Sequence, residues 1–228
     1  MTWILNNLDL IAQLALAHMA IALPPIVFSF LVSLPIGWVA NRFRWSRGVL
    51  LTMCGLLYAV PSLPLFVALP SIIGTGLQDP INVVIGLTLY GIALMVRVTT
   101  DGLASVDPEI RQSASAVGFS NAGRFWRVEL PLAGPVLVSG LRVVAVSTVS
   151  LTTVGAVLGI QSLGLLFTDG IQRNIPEEIL TGIVLTVAIA LVLDGLIVVI
   201  GRLIMPWSRV SAIPRRRALR AARKAAIA

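Results

Sequence analysis

The chain of 228 residues is 57% hydrophobic and only 12% charged, with a formal net charge of +7 at pH 7. This composition excludes an ordinary soluble domain, because one core of that size cannot hide so much apolar surface from water. The single cysteine, Cys54, excludes an intrachain disulfide and a cysteine metal cluster. We therefore interpret the chain as a membrane protein.

Apolar segments of about 20 residues can cross the hydrocarbon core as helices, since each backbone amide must find its partner within its own segment. The predicted fold class is therefore all-α, a polytopic membrane protein with about five transmembrane helices. In chain order the spans run from about Leu16 to Ala40, Val49 to Ile73, Ile81 to Val98, Leu132 to Leu158 and Ile179 to Ile204.

The two ends of the chain differ from the membrane domain, residues 16–206. Residues 1–15 include a stretch too short and polar to cross alone, which we predict to be interfacial; it also lacks the basic region and cleavage site of a signal peptide. Residues 207–228 form a basic tail, predicted to be cytoplasmic. Its run from Arg215 to Lys224 is of a kind that binds nucleic-acid phosphate or anionic lipid. Because the run follows a membrane helix directly, we favour lipid and expect no nucleic-acid partner.

Basic residues follow the first span, occupy the polar stretch between the third and fourth spans, and continue into the tail. By the positive-inside rule, the N-terminus is outside and the central stretch and tail are cytoplasmic. The other side collects acids and one arginine, Arg173. The basic residues are Arg42, Arg44, Arg47, Arg97, Arg111, Arg124, Arg127, Arg142 and those from Arg202 onward, and the opposing acids are Asp79, Asp169, Glu177 and Glu178.

The central polar stretch, about residues 101–131, begins with a helix signal. Asp107 can cap a helix, Pro108 suits its first turn, and Glu109 adds an acid near its positive end. We predict that this helix stops at Gly118, which can adopt the left-handed conformation.

A second short helix is predicted after that glycine. Ser120 or Asn121 can cap it, and Pro131 is predicted to end it because proline disfavours helix at the preceding residue. We call the resulting helix-glycine-helix segment, about residues 108–129, the elbow. Its first helix has small residues on several sides, which would let another protein approach its backbone closely. The segment is therefore either a docking surface or a plain solvated loop.

The spans contain features that fit either a solute path or simple helix packing. The prolines Pro61, Pro64 and Pro70 interrupt the second span and create either a kink facing a path or a packing bend. Thr148 and Thr152, with two glycines that follow at helical spacing, form a stripe that suits tight packing or path lining.

Two ionisable residues lie inside predicted spans. Asp194 must find a partner, water or a proton, and it either attracts a cationic solute or pairs with a hydroxyl or basic group of a neighbouring helix. His18 is either a hydrogen-bonded packing residue or part of a proton relay. The sequence has no Ser-His-Asp set and no Walker-type phosphate loop, so we expect no catalytic residue and no metal site.

The elbow resembles the cytoplasmic loop of binding-protein-dependent ABC importer permeases. The family pattern is Glu-Ala-Ala, three residues, Gly, nine residues, then Ile-x-Leu-Pro. The spacing matches throughout, with departures at the acid, the first alanine and the isoleucine. The corresponding residues are Gln112, Ser113, Ala114, Gly118, Val128, Leu130 and Pro131.

The resemblance extends over about residues 16–174 and narrows to one branch. VPSLPLF (60–66), VRVTTDGLASVDPEI (96–110) and VLGIQSLGLLFTDGI (157–171) are similar to permeases for glycine betaine, carnitine, choline and related osmoprotectants. Ile160, Gln161 and Ser162 stand where those permeases often carry Ala-Gly-Gly.

The resemblance implies a type I ABC importer permease fold that forms the translocation path for such a solute. It also implies a second permease subunit, of the same or a related chain, cytoplasmic ATPase subunits that bind ATP, and an external substrate-binding protein. This chain itself needs no cofactor. An importer of methionine or another small solute, and a non-transporting scaffold for an ATPase-like partner, are the alternatives. The expected docking residues are Arg111, Gln112, Ser113, Ala114, Gly118 and Pro131, and the candidate path residues are Pro61, Ser62, Thr148, Thr152 and Asp194.

Overall fold

A computed structural model describes residues 2–209, and every regular element in that range is helical. The predicted basic tail lies outside the described residues from position 210 onward. The helices are α1 (Thr2–Asn6), α2 (Leu8–Arg42), α3 (Arg44–Ala59), α4 (Ser62–Ile73), α5 (Pro80–Ala104), α6 (Pro108–Ala116), α7 (Asn121–Arg124), α8 (Leu130–Thr152), α9 (Leu165–Arg173) and α10 (Pro176–Ile204). A π-helix (Phe125–Glu129) precedes α8, and 3-10 helices span Thr153–Leu158 and Pro206–Arg209.

Four helices are long and apolar enough to cross a membrane. They are α2, α5, α10 and the continuous helix Asn121–Leu158, which contains α8. A fifth span results if α3 and α4 are counted together, since they form one apolar pair with a bend of 101°. The predicted all-α polytopic fold with about five spans is confirmed.

The bend in the second span lies at Pro61. Val60 and Pro61 are both extended, as expected for a proline and the residue before it. The Val60 carbonyl accepts a 2.6 Å hydrogen bond from the hydroxyl of Tyr90 on α5, so the break in the helix leaves this group satisfied. Pro64 falls in the first turn of α4 and Pro70 lies inside it, so Pro61 alone makes the break.

The first span is longer than predicted. Helix α2 begins at Leu8 and has 35 residues, which is about 50 Å at the usual helical rise. Since the hydrocarbon core is about 30 Å thick, part of α2 extends beyond it. Much of the stretch assigned to the interface is therefore the first turns of this helix, and its interfacial position stays a prediction.

Helix α5 lies at the centre of the bundle and packs against α2, α3, α4 and α8. It meets α2 closely at Gly37 and Gly91, where an added β-carbon would collide with Thr99 and Ser29 respectively. Small residues allow this approach, which is how membrane helices gain packing contacts without a hydrophobic driving force between them. Helix α10 differs, because only 6% of its most apolar 18-residue stretch is buried inside the subunit.

The coupling elbow and the candidate path

The first half of the elbow folds as its capping residues predict. The carboxylate of Asp107 accepts a 2.8 Å hydrogen bond from the amide of Glu109, and Pro108 opens α6. The chain then reverses at Gly118, whose φ of 95° is the left-handed region that favours glycine. Ser120, rather than Asn121, caps α7, because its hydroxyl accepts a 3.1 Å hydrogen bond from the amide of Gly123.

The second half of the elbow corrects the prediction at Pro131. The helix does not end there: α7 continues through the π-helix into α8 as one helix, Asn121–Leu158. Pro131 lies in the first turn of α8, and the amide of Leu130 bonds to the carbonyl of Phe125 in the wider π pattern. The missing proline amide therefore falls where one hydrogen-bond register changes to another, which removes its usual cost.

Arg111 connects the elbow to α5. Its guanidinium donates hydrogen bonds of 2.6 Å to the Leu103 carbonyl and 3.0 Å to the Val106 carbonyl, at the end of α5. The Leu103 carbonyl also accepts from the Val106 amide, so the arginine adds to the hydrogen bonding at this helix end and holds the start of α6 in place. Although we predicted Arg111 as a docking residue, its charge is used within the chain.

Arg124 connects the two halves of the elbow. It donates a 2.7 Å hydrogen bond to the hydroxyl of Ser115 on α6 and another of 2.7 Å to the carboxylate of Glu129 in the π-helix. Glu129 is only 4% exposed, so this ion pair is well shielded from water. With Arg111, these contacts fasten α6 to both α5 and the helix that becomes α8. No local pattern in the sequence predicts this bracing.

The outer surface of the elbow differs from the predicted docking set. Gln112, Ser113 and Gly118 are exposed, while Ala114 is buried and Pro131 is half-buried. Two apolar residues flank the glycine turn: Val117 is 80% exposed and Phe119 is 37% exposed. With Gly118, Ser120, Gly123 and Arg127 they line a shallow depression of about 420 Å³. Apolar side chains beside a glycine in a polar stretch were the signal that could have identified them.

The candidate path residues form three separate groups. Pro61 and Ser62 lie at the bend between α3 and α4. Thr148 and Thr152 lie on a buried face of α8, where the Thr152 hydroxyl donates a 2.8 Å hydrogen bond to the Thr148 carbonyl. Asp194 pairs with Arg142 of α8 through hydrogen bonds of 2.6 and 2.8 Å. No hydrogen bond or ion pair within residues 2–209 joins these three groups.

His18 is fully buried beside the Val149 backbone, and neither ring nitrogen forms a hydrogen bond of standard geometry with residues 2–209. Its burial between helices is what a packing residue would show, and a role in a proton relay stays untested. In the same part of the chain, no group of three or more His, Cys, Asp or Glu side chains is placed to hold a metal ion.

The sequence profile of a family described as "Binding-protein-dependent transport system inner membrane component" matches residues 29–209. The chain belongs to this family. The matched region contains the elbow and all the predicted docking and path residues. The resemblance inferred from the elbow pattern is confirmed, and the chain is an inner-membrane component of a transport system.

Two relatives with a described transport role align over most of the chain. The osmoprotectant import permease protein OsmW of Salmonella typhimurium is 29% identical over 198 residues, covering 86% of this chain and 92% of the relative. The choline transport system permease protein OpuBB of Bacillus subtilis is 26% identical over 189 residues, covering 83% and 86%.

The fold is shared with a solved transporter. An inward-facing structure of the MetNI methionine ABC transporter superposes with a TM-score of 0.71 at 20% sequence identity, covering 88% of this chain and 97% of that one. The predicted type I ABC importer permease fold is thereby confirmed.

Proposed function

We propose that this chain is the permease subunit of an ATP-driven importer and forms the translocation path for a small osmoprotectant such as glycine betaine, carnitine or choline. Permeases described as importing osmoprotectants, choline, or glycine betaine, carnitine and choline align over more than four-fifths of the chain, which supports this solute class. The single observation that carries the coupling role is the braced elbow, fixed to two membrane helices and presenting an apolar turn outward.

In this proposal a cytoplasmic ATPase subunit binds ATP and contacts Gln112, Ser113, Val117, Gly118 and Phe119. Exposed apolar side chains beside polar ones are typical of a docking surface. Arg111 and Arg124 do not touch the partner but transmit its movement to α5 and α8. Closure of the ATPase dimer then shifts these helices as rigid elements.

A second permease subunit, of the same or a related chain, completes the path, and an external binding protein delivers the solute. The N-terminus is outside and the C-terminus is cytoplasmic, as the charge distribution favours. For the path we retain Pro61, Ser62 and Asp194 as candidates. Thr148 and Thr152 also remain candidates, although within one subunit their burial is what helix packing would produce.

Hydrolysis of ATP in proteoliposomes tests the proposal. The chain is reconstituted with its ATPase and external binding protein, and hydrolysis and solute uptake are measured with glycine betaine, carnitine, choline or methionine. We expect stimulation and uptake with at least one of the first three. Stimulation by methionine alone would reassign the solute, and hydrolysis unaffected by every solute, without uptake, would support the scaffold alternative.

A further inference from the structure

A second feature lies apart from both the elbow turn and the candidate path: an apolar cavity between α8 and α10, at the end of the bundle that carries the elbow. Its volume is about 520 Å³, and every residue that lines it is apolar. Phe30 of α2 and Leu137 of α8 form its inner part, and Ile200 of α10 forms part of its rim. Trp126 and Trp207 lie at its end.

The lining determines what can occupy this cavity. Apart from the indole N–H groups of the two tryptophans at its end, it offers no side-chain hydrogen bond to water, so the favourable occupant is an apolar chain that makes dispersion contacts with the walls. Ile200 is 52% exposed, and few residues in the most apolar part of α10 are buried inside the subunit, so the cavity is accessible from the surface that α10 presents. Lipid tails and an apolar protein face both satisfy this requirement.

The residues at the mouth of the cavity indicate which occupant is favoured, a lipid tail or an apolar protein face. Pro131 and Trp207 line both the cavity and a neighbouring depression of about 470 Å³, and Arg127 lines that depression as well. Arg127 is exposed and forms no ion pair with any residue in 2–209, whereas Arg124 is engaged with Glu129. An exposed cation, Arg127, therefore lies next to an apolar cavity that is flanked by two tryptophans, the residue type enriched at membrane interfaces.

The sequence adds charge of the same sign. After Trp207 the chain contains seven further basic residues and no acidic one: Arg209, Arg215, Arg216, Arg217, Arg220, Arg223 and Lys224. A second copy of this chain, meeting the first through this same surface, would bring its own Arg127 to the mouth, where the two like charges would repel. An anionic lipid is attracted instead, by about 1 kcal/mol per basic residue near the surface.

We propose that this cavity binds one phospholipid with an anionic headgroup, its acyl chain between α8 and α10 and its phosphate beside Arg127. Trp126 and Trp207 bracket the glycerol region, where an aromatic ring with one polar edge is well suited. Because Arg127 also lines the depression at the elbow turn, a bound phosphate lies next to the surface proposed for ATPase docking.

Lipid retention measured by native mass spectrometry tests this site. The full-length chain, purified with the subunits that accompany it, is titrated with phosphatidylglycerol or phosphatidylcholine of the same acyl composition. We expect phosphatidylglycerol to bind about tenfold more tightly, as one direct charge-assisted contact provides. Arg127→Gln is expected to remove that preference, and Ile200→Trp, which fills the rim, to weaken retention of both lipids.

Two matched variants control for general effects. Arg97→Gln removes one exposed positive charge on α5, away from the cavity, and Val199→Trp enlarges a residue that is 51% exposed and does not line it. Both are expected to retain lipid as the wild type does. Equal binding of the two lipids, or an equal loss in Arg97→Gln and Arg127→Gln, would overturn the proposal. So would lipid-free dimers of this chain that Ile200→Trp dissociates, since the occupant would then be a second copy.

Discussion

Arg142 on α8 and Asp194 on α10 form a two-point ion pair, with both carboxylate oxygens accepting hydrogen bonds from the guanidinium, at 2.6 and 2.8 Å. The geometry is the parallel fork that makes arginine-carboxylate pairs both strong and specific. It explains how a span can contain an acid that the membrane would otherwise disfavour. Of the alternatives open from the sequence, pairing with a basic group of a neighbouring helix is the one observed.

The pair makes a clear prediction about charge balance. Asp194→Asn alone leaves Arg142 charged without its partner. Arg142→Gln alone leaves the Asp194 carboxylate charged without its partner. Each is expected to lower the melting temperature in lipid nanodiscs by several degrees, because an unpaired charge in a span is costly. The double variant is expected to recover most of that loss, since it removes both charges. A double variant no more stable than the two single ones would show that the pair is not the stabilising unit.

The second prediction concerns the brace inside the elbow. Arg124→Gln removes the charged partner of buried Glu129, which is expected to cost about 2–3 kcal/mol of unfolding free energy. We also expect ATP hydrolysis and solute uptake to become uncoupled, because α6 is then no longer fastened to the helix that becomes α8.

Arg173→Gln is the matched control for that brace. Its partner Asp169 lies one helical turn away, the arginine and aspartate side chains are 57% and 38% exposed, and the distance is 3.4 Å. Such pairs contribute about 0–1 kcal/mol, so stability and coupling should be almost unchanged. If the two arginine variants behaved alike, the bracing role of Arg124 would be wrong.

A third prediction addresses the apolar turn. Val117→Asp places a charge on a residue that is 80% exposed, so the fold should tolerate it. Binding to the ATPase subunit, measured by co-purification and by titration in nanodiscs, is expected to weaken at least tenfold, since an interface core excludes unpaired charge. Leu77→Asp changes an exposed apolar loop residue between α4 and α5, 49% exposed, and should leave binding intact. Unchanged affinity in Val117→Asp would remove this residue from the docking surface.

A fourth prediction tests the helix crossing between α2 and α5. A β-carbon at Gly91 would collide with Ser29, so Gly91→Ala is expected to destabilise the bundle by about 1–3 kcal/mol through overpacking. At Gly195 of α10 an added β-carbon meets nothing within 4 Å. Gly195→Ala should be neutral or stabilising by up to about 1 kcal/mol, since alanine is the better helix former. Thermal unfolding of both variants in the same lipid makes the comparison.

The parts of this protein that the sequence predicts are those set by local chemistry. The length of each apolar segment defines the spans. Asp107 defines the start of α6 through its side chain, and Gly118 defines the stop through its backbone conformation. The contacts that the sequence does not predict are those that depend on which helix surfaces pack together. Arg111 was predicted to dock a partner and Arg124 was noted only as a cytoplasmic basic residue, because the carbonyls and the carboxylate that accept their hydrogen bonds come close only after the helices pack. Pro131 was misjudged because a π-helix, which has no strong local signature, absorbs its missing amide.

The helix that runs unbroken from Asn121 to Leu158 has a mechanical consequence. At the usual rise its 38 residues measure about 55 Å, more than the hydrocarbon core it crosses. If this helix moves as one rigid element, a tilt of about 10° applied at the elbow displaces the opposite end by about 10 Å. The 3-10 segment and the glycine turn at Gly159, on the far side of the bundle, therefore follow the elbow directly and need no hinge of their own.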